Sequence, residues 1–168
     1  HDKVLAHPTV YACITLIASD VAKVGLELRM RESDEGYWEV TQNPAFSPVL
    51  RKPNHYQTRQ QFIEVWMISK LQRGNAYVLK VRDARRVVVK LYVLDPTRVT
   101  PLVAPDGSVF YQLNSDDLSG LPMDLPAVPA SEIIHDRMEC MFHPLVGVSP
   151  IFACGVAATL GLKIDAAA

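Results

Sequence analysis

The apolar period of this chain changes at Gly74 from 3.6 residues to 2, and that change limits the folds open to it. Thr58-Arg59-Gln60-Gln61 has the form of a capping box: a threonine caps a helix and a glutamine three residues on reaches back to it. The helix it starts carries Phe62, Val65, Trp66 and Ser69 on one face. It stops at Gly74, with Lys70 and Arg73 in the last turn, where cations suit the helix dipole. Beyond Gly74 the alternation is that of strands. Residues 76–82 form one, a turn at 83–86 leads to a partner at 87–94, and Asp95-Pro96-Thr97 turns into 99–103. Pro105-Asp106-Gly107 is a strong turn signal, and 109–113 follows. Together these read as a meander of about four strands.

The segment before the capping box opens with a helix at 9–23. Val10, Cys13, Ile14, Ile17, Ala18 and Val21 form its apolar stripe, and Gly25 is expected to end it. Residues 26–31 alternate apolar and charged, which predicts a half-buried strand, and 37–40 return as its hairpin partner across Asp34-Glu35-Gly36. Residues 45–51 suit one or two helical turns between Asn43-Pro44 and Lys52-Pro53-Asn54. Residues 114–130, rich in Ser, Asp, Gly and Pro, read as a surface loop, and Ile133-Ile134-His135 as one more short strand. His143-Pro144 disfavours helix, Gly147 permits a turn, and Ser149-Pro150 forms a cap and first position for a helix over 150–168. That helix reaches the last residue, and the chain opens on His1 rather than Met, so both ends read as boundaries within a longer protein. Helices and strands come in separate blocks. The expected class is α+β: an antiparallel or mixed sheet, a meander of about four strands plus a hairpin, packed with three amphipathic helices in a single domain over 1–168.

The composition excludes several functions. Lys and Arg number 17 against 18 Asp and Glu, whereas a dedicated nucleic-acid binder is normally strongly basic. No apolar run is long enough to span a membrane, and no signal peptide is visible. Cys13, Cys140 and Cys154 cannot all pair within the chain. Two lie in expected helices with apolar neighbours, which predicts buried free thiols in a reducing compartment. His135, Cys140 and His143, with Asp136 close by, have ligand chemistry, but zinc needs three or four converging groups and this spacing is not a standard one. The alternative is that His135 ends a strand and His143 shapes a turn. A cysteine nucleophile at Cys140 is disfavoured by Glu139, because a neighbouring anion raises a thiol pKa. No glycine-rich phosphate loop, GxSxG or HExxH motif is present, so no catalytic residue, cofactor or metal is assigned. Arg82, Arg85, Arg86 and Lys90 make a basic hairpin tip that is a candidate phosphate contact, or else a solvated turn that blunts a sheet edge.

Six blocks of sequence bear a resemblance. They are Val10-Tyr11-Ala12-Cys13-Ile14 with Ile17-Ala18, Leu50-Arg51-Lys52-Pro53-Asn54, Gly74-Asn75-Ala76-Tyr77, Leu91-Tyr92-Val93-Leu94-Asp95-Pro96, Glu132-Ile133-Ile134-His135, and Pro144-Leu145-Val146-Gly147-Val148-Ser149-Pro150. In this order the blocks resemble the successive motifs of HK97-type tailed-phage portal proteins. The chain departs from the pattern at Val24-Gly25, at Arg85-Arg86 and in the acidic run after His135. The resemblance implies the N-terminal part of a portal wing, with stem and clip outside this chain. It implies a structural subunit without enzymatic activity, located at the capsid vertex of a virion and assembled in the host cytoplasm. Its partners would be copies of itself in a ring, typically a dodecamer, together with capsid protein, terminase and a head–tail adaptor. DNA would pass through the channel in packaging and ejection without tight binding. The competing expectations are another phage head–tail connector or tail module, or an unidentified hydrolase or metal-binding domain.

Overall fold

The computed structural model describes residues 5–31, 36, 38–114 and 127–155. Its elements are α1 (Pro8–Lys23), β1 (Arg29–Arg31), β2 (Trp38–Val40), α2 (Ser47–Arg51), α3 (Arg59–Arg73), β3 (Asn75–Arg82), β4 (Val88–Leu94), β5 (Val99–Val103), β6 (Val109–Leu113), β7 (Val128–Pro129) and β8 (Ile133–Arg137). Residues 151–155 are helical, and the remainder of the expected 150–168 helix lies outside the described residues. The α+β class is as expected.

α3 begins as the capping box predicts: the Thr58 side chain accepts from the Gln61 amide and the Gln61 side chain accepts from the Thr58 amide. It ends at Gly74, whose φ of 76° places it in the left-handed region that favours glycine. The chain then enters β3, the central strand. The stretch from Asn75 to Leu79 is buried throughout, so β3 is covered on both faces. Side chains alternate across a strand. Val78 faces the helices and packs with Phe62, Val49 and Leu91. Tyr77 and Leu79 face the other way, into a cluster with Leu94, Val99, Tyr111, Val128 and Ile133.

The strands do not form one continuous sheet. β3 pairs antiparallel with β4 on one side and β8 on the other, while β5, β6 and β7 make a second three-stranded antiparallel sheet. The break is the 3-10 turn at Pro96–Arg98, where Asp95 accepts from the Thr97 amide and turns β5 away from β4. The second sheet covers the outer face of the first through the Tyr77–Tyr111 cluster. β7 lies within the stretch expected to be a loop, paired with β6 at Phe110 and Tyr111. Residues 115–126 of that loop lie outside the described residues.

The N-terminal expectations need three corrections. Gly25 does not cap α1; the helix ends through Val24, whose amide donates to the Val21 carbonyl, and Val24 is extended. The α1 stripe is wider than the surface that covers it. Ile14, Ala18 and Ala22 are buried, while Cys13, Ile17 and Val21, the next row round, stay exposed. The hairpin strand is not half-buried: every residue of β1 and β2 is exposed, because neither strand packs a face on the rest of the fold. The thiols are a fourth correction. Cys13, Cys140 and Cys154 are all exposed, Cys13 because it lies on the uncovered row. Val65, expected on the buried face of α3, is also exposed, since only Phe62, Ser69 and Leu71 of that helix are fully covered.

Phe62 is 1% exposed and is the largest fully buried side chain among the described residues. Phe62→Ala is expected to cost about 3–5 kcal/mol through lost burial and a residual cavity, read as a lower urea midpoint with the slope unchanged.

Candidate functional site

The best-built polar site in the fold is a junction where the end of α3, the end of β8 and the 143–149 loop converge. Gly74 and Gly147 bring two backbones into contact there. A Cβ on Gly74 would collide with the Gly147 carbonyl, and one on Gly147 would collide with the Gly74 carbonyl oxygen and crowd the Met138 amide. The Met138 amide donates to the Gly74 carbonyl at 2.8 Å, and the Val148 amide to the Glu139 carbonyl at 2.9 Å.

Asn75 is the centre of the junction. Its Nδ2 donates to the Arg73 carbonyl at 3.1 Å and to the Gly147 carbonyl at 3.0 Å. That fixes Oδ1 as the acceptor, and it receives the Gly147 amide at 2.9 Å and His135 Nε2 at 3.1 Å. The His135 tautomer follows: Nε2 carries the proton, and Nδ1 is left to accept from the Tyr111 hydroxyl at 3.1 Å. The imidazole also stacks on Tyr77 with ring centroids 4.3 Å apart. Burial, helped by the Arg137 charge and opposed by Asp136, pushes the His135 pKa down to about 4. Burial also pushes Tyr77 up to about 12. The site thus holds a neutral histidine between two sheets and a loop.

Ser149 completes the junction. Its hydroxyl donates to the Leu71 carbonyl at 2.6 Å and accepts from the Ile151 amide at 3.1 Å. The cap expected from sequence is therefore present, and it also ties the start of the helix at 151–155 to α3. Ile151 packs with Ile14 and Leu71.

The sequence candidates separate. His135 is engaged with Asn75 and Tyr111, as above. His143 shapes its own turn, with Nδ1 accepting from the Leu145 amide at 3.1 Å. The Cys140 thiol contacts the Met138 carbonyl at 3.6 Å. Among the described residues, no three His, Cys, Asp or Glu side chains are placed to hold a metal ion. Asp136 instead docks α3 on β8, accepting from Trp66 Nε1 at 2.9 Å and from Lys70 Nζ at 2.8 Å. Neither this contact nor the Asn75 junction was evident from sequence, although Asn75 lies inside a block that carries the resemblance.

At the basic tip, Arg82 pairs with Glu132 at 2.8 Å and donates to the Arg86 carbonyl. Arg85 pairs with Asp83 at 3.2 Å. The Val87 amide foremost, with the Arg85 side chain and amide, holds the Asp83 carboxyl below its ordinary pKa. Arg86 adopts a left-handed φ of 62°. Among the described residues, Arg86 and Lys90 have no ion-pair partner. The four cations therefore do not act as one cluster; two are neutralised locally.

The sequence model of a family described as phage portal protein matches residues 8–168. The chain belongs to that family. Solved structures share the portal chain's fold. A chain in the neck of an empty GTA particle, computed with C6 symmetry, is 23% identical with a TM-score of 0.75, over 98% of this chain and 43% of that one. A chain in the neck of a native GTA particle, computed with C12 symmetry, is 21% identical with a TM-score of 0.73, over 98% of this chain and 41% of that one. An HK97 family phage portal protein from Corynebacterium diphtheriae is 16% identical with a TM-score of 0.51, over 82% of this chain and 39% of that one. The portal chain thus spans about two-fifths of the length of the solved chains it matches. No curated protein matches it. Among its described residues, no helix is long and apolar enough to cross a membrane.

Two outcomes test the junction. Asn75→Ala removes four hydrogen bonds at one buried point and leaves peptide groups unsatisfied, so a loss of about 2–4 kcal/mol is expected in urea unfolding. The second concerns pH. His135 is harder to protonate in the folded chain, so its contribution is present above pH 6.5, the unfolded value, and is lost as pH falls toward 4. The ring is partly open to solvent, which screens charge, so the loss is about 1–2 kcal/mol. Thermal melts across that window should show this slope, and His135→Gln should flatten it.

Proposed function

We propose that this chain is a structural part of a phage portal subunit of HK97 type, within the ring through which DNA enters and leaves the capsid. The observation that carries the reading is the family match over residues 8–168, and the fold shared with chains of neck particles computed with twelvefold and sixfold symmetry supports it. We read residues 1–168 as one wing-type domain, with the stem and clip supplied by other parts of the subunit, and we assign it no catalytic step. The junction at Asn75 then has a mechanical role: it fixes the loop from which the helix beginning at Ile151 starts. In this reading the subunit acts in the virion at the capsid vertex, after assembly in the host cytoplasm. Its partners are further copies of itself, capsid protein, terminase and a head–tail adaptor.

A channel wall must let DNA slide. Tight phosphate contacts would hold the duplex and make it strongly salt-dependent. A net charge of −1, and a basic tip in which Asp83 and Glu132 neutralise two of four cations, suit weak contact. Arg86 and Lys90 are the tip residues we assign to passing contact with phosphates.

Electron microscopy of the full-length subunit is expected to show rings with a central channel; discrete monomers at every concentration would refute the reading. In fluorescence titrations the chain is expected to bind duplex DNA weakly, with a Kd above about 10⁻⁶ M at physiological salt. Arg86→Glu with Lys90→Glu should weaken that binding further without changing thermal stability. Salt-sensitive sub-micromolar binding would contradict a sliding surface.

A further inference from the structure

We propose that the β1–β2 hairpin is an arm that docks on a neighbouring copy of the chain, with Trp38 and Val40 as its anchors. The inference rests on the ring reading above. A two-stranded hairpin is marginally stable in water unless one of its faces is packed. This hairpin has three residues in each strand, all exposed, and its contacts are chiefly between its own strands. The register sets Trp38 opposite Arg31 and Val40 opposite Arg29, so these four side chains share one face. Trp38 is 61% exposed and Val40 63%. Tryptophan and arginine are the residues most enriched where binding energy concentrates at protein interfaces. Local bonds already orient the two guanidinium groups: Arg29 pairs with Glu27 at 2.9 Å, and Arg31 donates to the Gly36 carbonyl at 3.0 Å.

Cyclic assemblies above a dimer join unlike faces, so the arm needs a receiving surface elsewhere on the same sequence. That surface should be apolar with an available carboxylate. The segment after β8 provides it. Met141, Phe142 and Phe152 are exposed, Phe142 at 77%, and the two phenyl rings meet edge to face with centroids 6.2 Å apart. Glu139 beside them is exposed, and among the described residues it has no ion-pair partner. Trp38 and Val40 of one copy meet Phe142 and Phe152 of the next, and the arginine beside Trp38 meets Glu139. The receiving patch includes the start of the helix at 151–155, so an arm seated there connects one subunit to that helix of its neighbour.

The test uses the full-length subunit and scores rings by electron microscopy and sedimentation. Arg31→Glu alone and Glu139→Arg alone are each expected to raise the concentration needed for assembly about tenfold or more. The double variant is expected to recover it. Singles that assemble like the parent, or a double that fails to recover, overturn the proposal while leaving the ring reading intact. A parent that forms no ring overturns the ring reading, and the arm with it. A second measurement does not depend on charge. In a background with Cys13, Cys140 and Cys154, the exposed native thiols, replaced by Ser, Trp38→Cys combined with Phe142→Cys should form disulfide-linked ladders of subunits under oxidation, and neither single variant should. Rings without ladders place the hairpin elsewhere and refute the docking. Because both positions are exposed, the thermal midpoint of the dilute variants should match the parent, which separates lost docking from lost folding.

Discussion

The carboxamide of Asn75 holds together segments that are far apart in sequence. It bonds the last turn of α3, the loop at Gly147 and the imidazole of β8, and through that imidazole it reaches Tyr111 in the second sheet. No other residue type offers two donors and a two-lone-pair acceptor on so short a stem. An aspartate lacks the donors, and a glutamine would place the same group one methylene too far out. The two glycines on either side of this contact are required by the same geometry. Only residues without Cβ allow the Gly74 and Gly147 backbones to approach this closely.

Around that point the fold is layered simply. α1 rests on α3, α3 rests on the sheet of β3, β4 and β8, and the sheet of β5, β6 and β7 rests on the far side. β3 is the element shared by both interfaces, which is why its run from Ala76 to Leu79 is apolar on both faces where a half-exposed strand would alternate. Asp136 adds a polar tie to this packing. It bonds Trp66 and Lys70 across the helix–sheet interface, so the end of α3 is held both by its own cap and by β8.

Local chemistry was legible in the sequence and long-range pairing was not. The Thr58 capping box, the Gly74 stop, the strands at β3 to β6 and the Ser149 cap depend on residues a few positions apart, and each forms as expected. The division into two sheets was not legible, because it depends on β8 returning to β3 across a large gap and on the turn angle at Pro96–Arg98. The exposed side of α1 was not legible either. Periodicity identifies which residues share a face, but it does not say how much of that face a neighbour covers. Cys13 and Ile17 fit the stripe as well as Ile14 and Ala18 do. The junction was legible only through ordered blocks of resemblance: Gly74-Asn75 and Gly147-Val148-Ser149 stand in two of them, and the fold places those two blocks in contact.

The route of the chain between β4 and β8 has a consequence for folding order. Leu79 pairs with Ile133, and everything between them, including β5, β6 and β7, lies within the loop that this pairing closes. The first sheet therefore cannot gain its third strand until the intervening chain has been gathered in. Contacts of such sequence separation form slowly, since the entropy of closing the loop is lost before the pairing repays it. The α3–β3–β4 unit, whose contacts are local, is the natural nucleus, and the docking of Ser149 on α3 is among the last features to be set. A chain released before that closure would have a folded core but no fixed seat for the helix that begins at Ile151.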